Sequence, residues 1–393
     1  MFNSRDIFKK NQAQTFPFPS CLEISYAKGS YIYDINGKKY LDFIAGVSAC
    51  TLGHSNPHIT DAIKKQLDKY SHVMVYGEYV QSPQYKLAKL LADNLPQNLS
   101  TTYFTSSGTE AIEGAMKLAK RATGKYEIIS CKGSYHGSTQ GALSIMGNEE
   151  YKAMYRPLLP SCNQIIYNSV DSLVNITNKT AAVVIEPIQG ATGFVTPCDN
   201  FLQKVREKCN ETGSLLIFDE IQTCFGRLET LFGFEKYNII PDILCIAKGM
   251  GGGMPIGAFI SSCELMNLLT FDPKLGHITT FGGHPVNCAA SLATLEFLLT
   301  SDIMQDIEKK EHLFRKHLHH QKIKEIRGTG LMLAIEFKDE VLAKKVVEKS
   351  LENGLILFYF LFTKTAIRIT PPLTISDNEI IEGCKVIIDV LNS

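Results

Sequence analysis

The sequence carries no excess of charge and no long hydrophobic run. Its 393 residues include 40 Lys and Arg and 40 Asp and Glu, so the formal net charge is zero. That balance gives no electrostatic basis for binding nucleic acid or an anionic membrane surface. The longest uninterrupted apolar run, Leu355–Phe362, has eight residues, whereas a membrane-spanning helix needs roughly 20. We therefore expect a soluble protein of two to three domains, at roughly 150 residues each, with neither nucleic acid nor membrane as a partner.

Paired cysteine motifs and a secretion signal are also missing. The eleven cysteines form no C-x-x-C pair and are odd in number, which indicates neither a zinc site nor a complete set of disulfides. His54, His136 and His277 stand in turn-like contexts rather than in ligand pairs, so we predict no metal site. Residues Met1–Gln14 lack the apolar core and the cleavage pattern of a signal peptide. We expect an unprocessed protein in the reducing cytoplasm.

The middle of the chain alternates short apolar runs with amphipathic segments. The runs are continuously apolar and mostly end in a polar or glycine-rich turn, and they cover residues 126–131, 181–188, 214–221, 243–247 and 257–261. Strands that are buried on both faces of a parallel sheet have this composition. The amphipathic stretch Thr109–Arg121 predicts a helix between two such strands. We therefore predict an α/β domain over residues 56–295, built on a mostly parallel central sheet.

The two ends of the chain have a different pattern. Asn36-Gly37 lies between two apolar runs within Tyr31–Phe43, which is a hairpin signal, and Ile326–Phe337 predicts another hairpin among charged amphipathic helices. We assign residues 1–55 and 296–393 together to a smaller α+β domain. Sequence repeats, low-complexity tracts and Pro/Ser-rich linkers are absent, which excludes a solenoid or a string of small domains.

A possible phosphate site lies at the end of one predicted strand. Thr101–Ala111 runs from a strand through a small-residue turn into a helix. There Ser107, Gly108 and Thr109 would present N–H and hydroxyl groups to a phosphate. Helix capping without any ligand explains this turn as well, and taken alone it is the favoured interpretation. The G-x-x-x-x-G-K-[ST] spacing is absent, so the segment does not indicate ATP binding.

An acid and a lysine stand at two further strand ends. Asp219 and Glu220 close the run at residues 214–221, and Lys248 follows the next run and precedes several glycines. Each of these residues, taken alone, is explained as an exposed group at a strand tip. A lysine beside apolar surface, however, has a lowered pKa, which frees its amine to attack a carbonyl. Because ligands of open α/β sheets bind beyond the carboxyl ends of the strands, the three segments can share one crevice.

Pyridoxal phosphate needs these three groups together, because its phosphate, ring nitrogen and aldehyde lie at different corners of one flat ring. At an effective dielectric of about 20, a carboxylate about 4 Å from the ring nitrogen favours the protonated ring by roughly 4 kcal/mol. That free energy corresponds to about three pKa units. A protonated ring is the electron sink that carbanion chemistry requires. The crevice is therefore predicted to bind pyridoxal phosphate.

Seven motifs, in order along nearly the whole chain, resemble those of the class III aminotransferases. These pyridoxal-phosphate enzymes of fold type I include acetylornithine, ornithine and 4-aminobutyrate aminotransferases. The motifs are Ser107-Gly-Thr-Glu-Ala111, Tyr135-His-Gly137, Glu186-Pro-Ile-Gln-Gly190, Asp219-Glu-Ile-Gln222, Ala247-Lys-Gly249, Thr280-Phe-Gly-Gly283 and Arg368-Ile-Thr-Pro-Pro-Leu373. The resemblance implies a large cofactor-binding domain with a mostly parallel sheet and a smaller α+β domain.

The same resemblance implies a cofactor role for each matching residue. Lys248 would bind the cofactor as a Schiff base and then carry the proton between the substrate and cofactor carbons. Asp219 would pair with the pyridinium nitrogen, and Gln222 would contact the ring oxygen. The remaining cofactor-binding positions are Ser107, Gly108 and Thr109 at the phosphate, Tyr135 on the ring face, and His136 and Glu186 in the polar surroundings of the ring.

Substrate positions and a partner subunit are implied in the same way. Arg368 would clamp a substrate carboxylate with its planar guanidinium group, and Val47, Ser138 and Thr279 would contact the substrate. Thr280, in this family, reaches the phosphate of the neighbouring subunit. A homodimer with composite active sites is therefore implied.

The sequence departs from the family pattern at positions that bear on the substrate. Ser138 stands where acetylornithine and ornithine enzymes have an arginine, and Val47 stands where ornithine enzymes have a tyrosine. Ala191-Thr192 replaces the glutamate that holds the arginine aside in members that use 2-oxoglutarate, which would leave Arg368 available in both half-reactions. Cys224 replaces a usual glycine, and nothing in the sequence explains it. The donor and the acceptor stay open.

The predicted function is transfer of an amino group from an ω-amino acid or related amine to a 2-oxo acid by a ping-pong mechanism. An aminomutase or amino-acid racemase of the same fold is an alternative, because the motifs at residues 107–111 and 135–137 resemble the aminomutase almost as well. A cofactor-binding scaffold without catalysis is a second alternative. The presence of both Lys248 and Asp219 disfavours that scaffold.

Overall fold

The computed structural model describes residues 3–393. The strands, in chain order, are β1 (Ile24–Lys28), β2 (Tyr31–Asp34), β3 (Lys39–Asp42), β4 (Thr101–Thr105), β5 (Glu127–Cys131), β6 (Cys162–Ile165), β7 (Thr180–Ile185), β8 (Leu215–Asp219), β9 (Ile243–Ile246), β10 (Gly257–Ser261), β11 (Ile323–Thr329), β12 (Met332–Phe337), β13 (Leu355–Ile356), β14 (Phe358–Tyr359) and β15 (Ala366–Ile369). The helices are α1 (Ser4–Asn11), α2 (Ala45–Ser48), α3 (Pro57–Leu67), α4 (Ser82–Asp93), α5 (Gly108–Thr123), α6 (Gln140–Ser144), α7 (Phe201–Thr212), α8 (Gly233–Tyr237), α9 (Cys263–Asn267), α10 (Pro285–Thr300), α11 (Ile307–His317), α12 (Glu340–Glu352) and α13 (Asp377–Asn392). None of these helices combines the length and the apolar character needed to cross a membrane.

The central sheet has the strand order β4-β10-β9-β8-β7-β5-β6. Strands β5 to β9 are parallel, whereas β10 runs antiparallel to both of its neighbours. The predicted, mostly parallel α/β sheet is therefore confirmed, but residues 257–261 do not form a parallel strand. A parallel neighbour needs a crossover of a dozen or more residues. The connection at residues 247–256 is shorter than such a crossover and contains only the 3-10 turn Lys248–Gly251, and β10 folds back beside β9.

Side chains on alternate positions of the central strands enter two different apolar layers. Ala182 and Val184 of β7 pack in the layer that contains α5, whereas Val183 and Ile185 pack on the opposite face. Both faces of the strand are therefore covered, which explains its continuous apolar run. Helix α5 begins after Ser107, whose hydroxyl accepts a hydrogen bond from the Glu110 N–H at 3.3 Å, and it ends at a left-handed glycine.

Two smaller sheets contain both predicted hairpins. One has the order β1-β2-β3-β13 and the other the order β11-β12-β15-β14. β2 pairs with β3, and β11 with β12, each antiparallel, as the sequence predicts. β3 also pairs in parallel with β13, with Leu41 opposite Leu355, so both ends of the chain share one sheet. The proposed boundaries of the domains, at residues 1–55, 56–295 and 296–393, stay a prediction.

Candidate active site

The carboxyl ends of four central strands open onto a cavity of about 710 Å³. β4, β7, β8 and β9 run in the same direction, so the residues that follow them meet at one edge of the sheet. The predicted site residues that line this cavity are Val47, Ser107, Gly108, Thr109, Tyr135, His136, Ser138, Glu186, Asp219, Gln222, Lys248 and Arg368. The structure thus brings the acid, the lysine, the helix start and the arginine into one crevice.

Asp219, the last residue of β8, is held by a buried histidine. Its Oδ2 lies 2.7 Å from Nδ1 of His136, and its Oδ1 accepts a hydrogen bond from the Ile221 N–H at 3.0 Å. Burial favours the neutral imidazole, but the hydrogen bond and the charge of Asp219 outweigh it and raise the pKa of His136 above its usual value. Nε2 of His136 is buried and has no partner among the described residues. The Asp219 carboxyl group is thus held in one orientation at the cavity wall.

A second buried carboxylate, Glu186, shapes the turn after β7. Its Oε1 accepts a hydrogen bond from the Tyr135 N–H at 3.1 Å, and its Oε2 accepts one from the Gly190 N–H at 2.7 Å. Burial raises the pKa of Glu186 to about 7, although His136 opposes that shift. Glu186 therefore joins two loops of the cavity wall and positions the Tyr135 ring. A side chain at Gly190 would lie 2.7 Å from Oε1 of Gln222, so the close approach requires glycine there.

The start of α5 is capped by a side chain and also faces the cavity. Ser107 caps the helix, as the simpler interpretation of this turn predicts, and it also faces the cavity. The Thr109 hydroxyl lies 2.7 Å from that of Thr139, which donates to Glu113 Oε1 at 2.5 Å. The backbone N–H groups of the first helical turn and the positive end of the helix dipole point toward an anion-binding position. Helix capping and anion binding by this turn are therefore compatible.

Lys248 has an unfavourable backbone conformation on the cavity wall. Its φ is 45°, in the left-handed region that favours glycine, and a short 3-10 turn begins there. Such conformations persist where the surrounding structure holds them, often at functional sites. Burial lowers the pKa of the Lys248 amine below its usual value, and the charge of Asp219 opposes this effect. Within the described chain, no hydrogen bond or ion pair engages the amine.

Arg368, on β15, is a buried cation without a carboxylate partner in residues 3–393. Its Nε donates a hydrogen bond to the Tyr359 carbonyl at 3.1 Å, and its guanidinium lies over the rings of Phe360 and Phe194, with 4.7 and 5.9 Å to the ring centroids. Burial alone lowers its pKa to about 10. The remaining donors of the guanidinium are available for an anion in the cavity.

The other predicted substrate positions differ in their surroundings. Val47 lies in the kinked α2 with φ 60° and ψ 54°, next to Ser48, whose hydroxyl accepts a hydrogen bond from Nε2 of Gln222 at 3.1 Å. The Ser138 hydroxyl lies 3.2 Å from the Tyr135 hydroxyl. The predicted Gln222 thus joins α2 to the turn after β8.

Thr279 and Thr280 are not brought to this cavity within one chain. Thr279 lines a separate cavity of about 760 Å³, together with Tyr76 and Phe104, and Thr280 is exposed. The role of Thr280 at the phosphate of a neighbouring subunit stays a prediction, as does the substrate contact of Thr279.

Some residues of the cavity wall were not predicted from the sequence. Residues 358–361, which we term the apolar strap, line the cavity beside Arg368. The run Leu355–Phe362 contains the strap. Its eight consecutive apolar residues are the feature of the sequence that could have indicated this part of the wall. Ser48 accepts a hydrogen bond from Gln222, and the Arg368 guanidinium lies over the Phe194 ring. No motif in the sequence marks Ser48 or Phe194.

Comparison with known proteins identifies the family. The model of the family "Aminotransferase class-III" matches residues 13–391. The chain is a class III aminotransferase. It is 35% identical to the acetylornithine aminotransferase of Methanopyrus kandleri, over 100% of this chain and 99% of that protein. It is 36% identical to the putrescine aminotransferase of Pectobacterium atrosepticum, over 92% of this chain and 80% of that protein.

Solved structures agree with this assignment. The ornithine aminotransferase of Toxoplasma gondii superimposes with a TM-score of 0.91 at 29% identity, over 100% of this chain and 96% of that one. An amine transaminase from an uncultivated Pseudomonas species, solved with pyridoxal phosphate bound, gives a TM-score of 0.89 at 25% identity, over 98% and 99% of the two chains. The predicted family, fold class and cofactor are confirmed. This class III aminotransferase uses pyridoxal phosphate to transfer amino groups between amino-acid and 2-oxo-acid substrates.

The residues present fit this cofactor. The Asp219 carboxyl group retains acceptor capacity beyond its bonds to His136 and Ile221, which suits a protonated ring nitrogen. The Lys248 amine is desolvated and unengaged, as a nucleophile toward an aldehyde must be. The first turn of α5 offers its N–H groups at the same cavity, which suits a phosphate.

Proposed function

We propose that Lys248 and Asp219 are the catalytic residues of this class III aminotransferase and that the donor is an ω-amino acid or related amine. The observation that carries the proposal is that both residues line one cavity, with Asp219 fixed 2.7 Å from His136. Pyridoxal phosphate, when bound, supplies an electron sink for negative charge on the substrate carbon. Side chains of this chain perform the other roles in the reaction.

Lys248 provides the amine that holds the cofactor covalently and the base that moves the substrate proton. Its lowered pKa supports both roles, because it increases the fraction of the amine that is neutral and can accept a proton. Asp219 would pair with the ring nitrogen of the cofactor, and His136, a positioning residue, orients the carboxylate. Ser107, Gly108 and Thr109 hold the phosphate.

Further residues orient the ring and the substrate. Tyr135 covers one ring face, and Glu186 and Gln222 complete the polar surroundings of the ring, which their contacts with Tyr135 and Ser48 support. Arg368 binds a substrate carboxylate through its free guanidinium donors. Val47 and Ser138 line the substrate side, and neither carries a charge for an ornithine-like donor.

We also propose a cytoplasmic homodimer in which Thr280 completes the partner's phosphate site and Thr279 contacts the substrate. Exposed apolar side chains near this segment support an interface there, since Val80 is 90% exposed and Phe281 is 55% exposed in the single chain. The eleven cysteines are all free, which supports a reducing compartment.

The proposal is tested on the purified enzyme loaded with pyridoxal phosphate. A panel of 4-aminobutyrate, β-alanine, ornithine, acetylornithine, lysine and putrescine is run against pyruvate and 2-oxoglutarate, and the new amino acid is measured by chromatography. Activity is expected with at least one pair and is expected to fall by about 10²–10⁴-fold in Lys248→Ala. The exposed Lys179→Ala serves as the matched control. Net isomerisation of an amino acid without any 2-oxo acid would contradict the proposal.

A further inference from the structure

A second large cavity lies where the open end of the hairpin β11–β12 meets helix α12. Its volume is about 1000 Å³, compared with about 710 Å³ for the candidate active site, and the two cavities share no lining residue. Four of its eight lining residues are lysines, namely Lys322, Lys324, Lys338 and Lys345. We term it the lysine cavity. The chemistry proposed for the active site uses none of these residues.

The fold, rather than a run of charge in the sequence, assembles these lysines. The pair Ile323–Phe337 lies at the open end of the hairpin, and Lys322 and Lys338 are the next residues outward on its two strands. Lys324 lies within β11, and Lys345 lies in the second turn of α12. Three segments of the chain therefore contribute lysines to one concave surface.

Neighbouring carboxylates do not pair with these lysines. Lys322 donates a hydrogen bond to a main-chain carbonyl, and the other three form no ion pair within residues 3–393. Two acids on the same elements pair with other cations instead, because Glu325 lies 3.4 Å from Arg327 and Glu348 lies 3.8 Å from Lys344. The ammonium groups at the cavity are therefore available to a ligand.

Of the described residues that line the lysine cavity, one is an acid. Asp339 accepts a hydrogen bond from the Leu342 N–H at 2.9 Å and so caps α12. Glu340, the first residue of the helix, does not line the cavity. Four lysines against one aspartate leave a formal excess of three positive charges on the wall. Charge of one sign in a concave surface attracts and concentrates ions of the other sign.

A polyphosphate matches this wall better than a single carboxylate or phosphate does. Lysine binds phosphate as a point charge, and several phosphate groups can meet several lysines at once. Val341 and Leu342 add apolar surface, which suits an uncharged part of the same ligand. The volume lies at the upper end of the range of about 300–1000 Å³ that is typical of small-molecule sites.

We propose that the lysine cavity binds a small molecule that carries a polyphosphate group. The inference is independent of the proposed function, because the residues that line this cavity take no part in amino transfer. A nucleoside triphosphate and an inorganic polyphosphate share the required chemistry. The zero net charge of the chain favours such a small ligand over nucleic acid or a membrane surface.

Calorimetric titration of the holoenzyme tests the site, since bound cofactor then occupies the active-site cavity. Inorganic tripolyphosphate, ATP and inorganic monophosphate are titrated separately. We expect tripolyphosphate to bind at one site per chain, about tenfold or more tighter than monophosphate, and to lose about tenfold in affinity between about 50 and about 200 mM salt. Tighter binding of ATP than of tripolyphosphate would identify a nucleotide as the ligand, and otherwise the polyphosphate group alone suffices. No saturable binding of either, or binding of only an RNA oligonucleotide or anionic vesicles, would overturn the inference.

Two consecutive lysines of α12 provide a matched pair of variants. Lys345→Gln removes one charge from the cavity and should weaken tripolyphosphate binding by about tenfold. Lys344→Gln changes a residue outside the cavity that pairs with Glu348, and it should leave the affinity unchanged. Lys338→Gln repeats the test at an exposed position where little packing is lost. With folding verified by urea unfolding, wild-type affinity in both cavity variants, or an equal loss in Lys344→Gln, would overturn the assignment.

Discussion

Nδ1 of His136 lies 2.7 Å from Oδ2 of Asp219, and both side chains are buried. His136 lies in the loop after β5 and Asp219 ends β8, and the two meet at the carboxyl edge of the central sheet. The histidine gives the buried Asp219 carboxylate a hydrogen-bond partner and fixes its orientation. The proposed chemistry at the ring nitrogen therefore depends on His136 as well as on Asp219.

Replacement of His136 should weaken catalysis without removing any group that touches the substrate. His136→Ala is expected to lower kcat by roughly 10- to 100-fold, as for other residues that orient a functional group. It should also reduce the free energy of unfolding by about 3–5 kcal/mol, because a buried charge loses its partner. His136→Asn, whose amide can still donate to Asp219, should retain more activity at every pH in a pH–rate profile. Equal kinetics for both variants would contradict the positioning role.

The two buried arginines should respond in opposite ways to replacement by methionine. Arg227 donates hydrogen bonds to the carbonyls of Leu331 and Pro371, at 3.1 and 2.5 Å, so Arg227→Met should lower the free energy of unfolding by about 2–3 kcal/mol. Arg368 has no anionic partner within residues 3–393. Arg368→Met should therefore raise the free energy of unfolding by about 1 kcal/mol. The same change should reduce kcat/KM for carboxylate substrates by about 10²-fold. Urea unfolding and steady-state kinetics measure both effects, and destabilisation by Arg368→Met would contradict this account.

Glu220 should make stability depend on pH. Burial raises its pKa from 4.5 to about 7, although hydrogen bonds from the Gly233 and Phe234 N–H groups oppose the shift. Because the folded-state pKa lies above the unfolded one, the stabilisation is fully present below pH 4.5 and is lost as the pH rises through about 7. The loss amounts to about 3 kcal/mol. Glu220→Gln should flatten the pH dependence of the urea midpoint over this range, and an unchanged slope would exclude Glu220 as its source.

Mixed dimers should reveal a composite active site. Thr280→Asp is expected to lose activity because its carboxylate would repel the cofactor phosphate of the partner subunit. When this variant is refolded together with Lys248→Ala, mixed dimers hold one intact site, so about one quarter of the wild-type activity should return. A mixture of Lys248→Ala and Asp219→Asn should stay inactive, because both residues belong to the same chain's site. Full inactivity of the first mixture would contradict the role of Thr280.

Most of the fold could be predicted because the spacing of apolar residues along the sequence reflects which faces of each element are buried. Continuous apolar runs such as residues 181–188 mark strands covered on both faces, and Asn36-Gly37 marks a hairpin turn. The period does not record strand direction, which explains the wrong expectation for β10. Its direction is set by the length of the connection at residues 247–256.

Short sequence motifs marked Ser107, Asp219 and Lys248, and the structure brings these three residues to one cavity. Contacts between distant segments leave no such local trace. Gln222 meets Ser48, and the Arg368 guanidinium lies over Phe194, only because the fold places these loops together. The apolar strap was visible as a run of hydrophobic residues, but its place at the cavity follows from the pairing of β14 with β15.

The parallel pairing of β3 with β13 affects how the chain is made. The ribosome releases Leu41 long before Leu355, so one edge of the sheet that contains β3 stays open while the intervening chain is made. An open edge invites pairing with other nascent chains. Truncation before β13 should therefore yield insoluble product rather than a shortened enzyme.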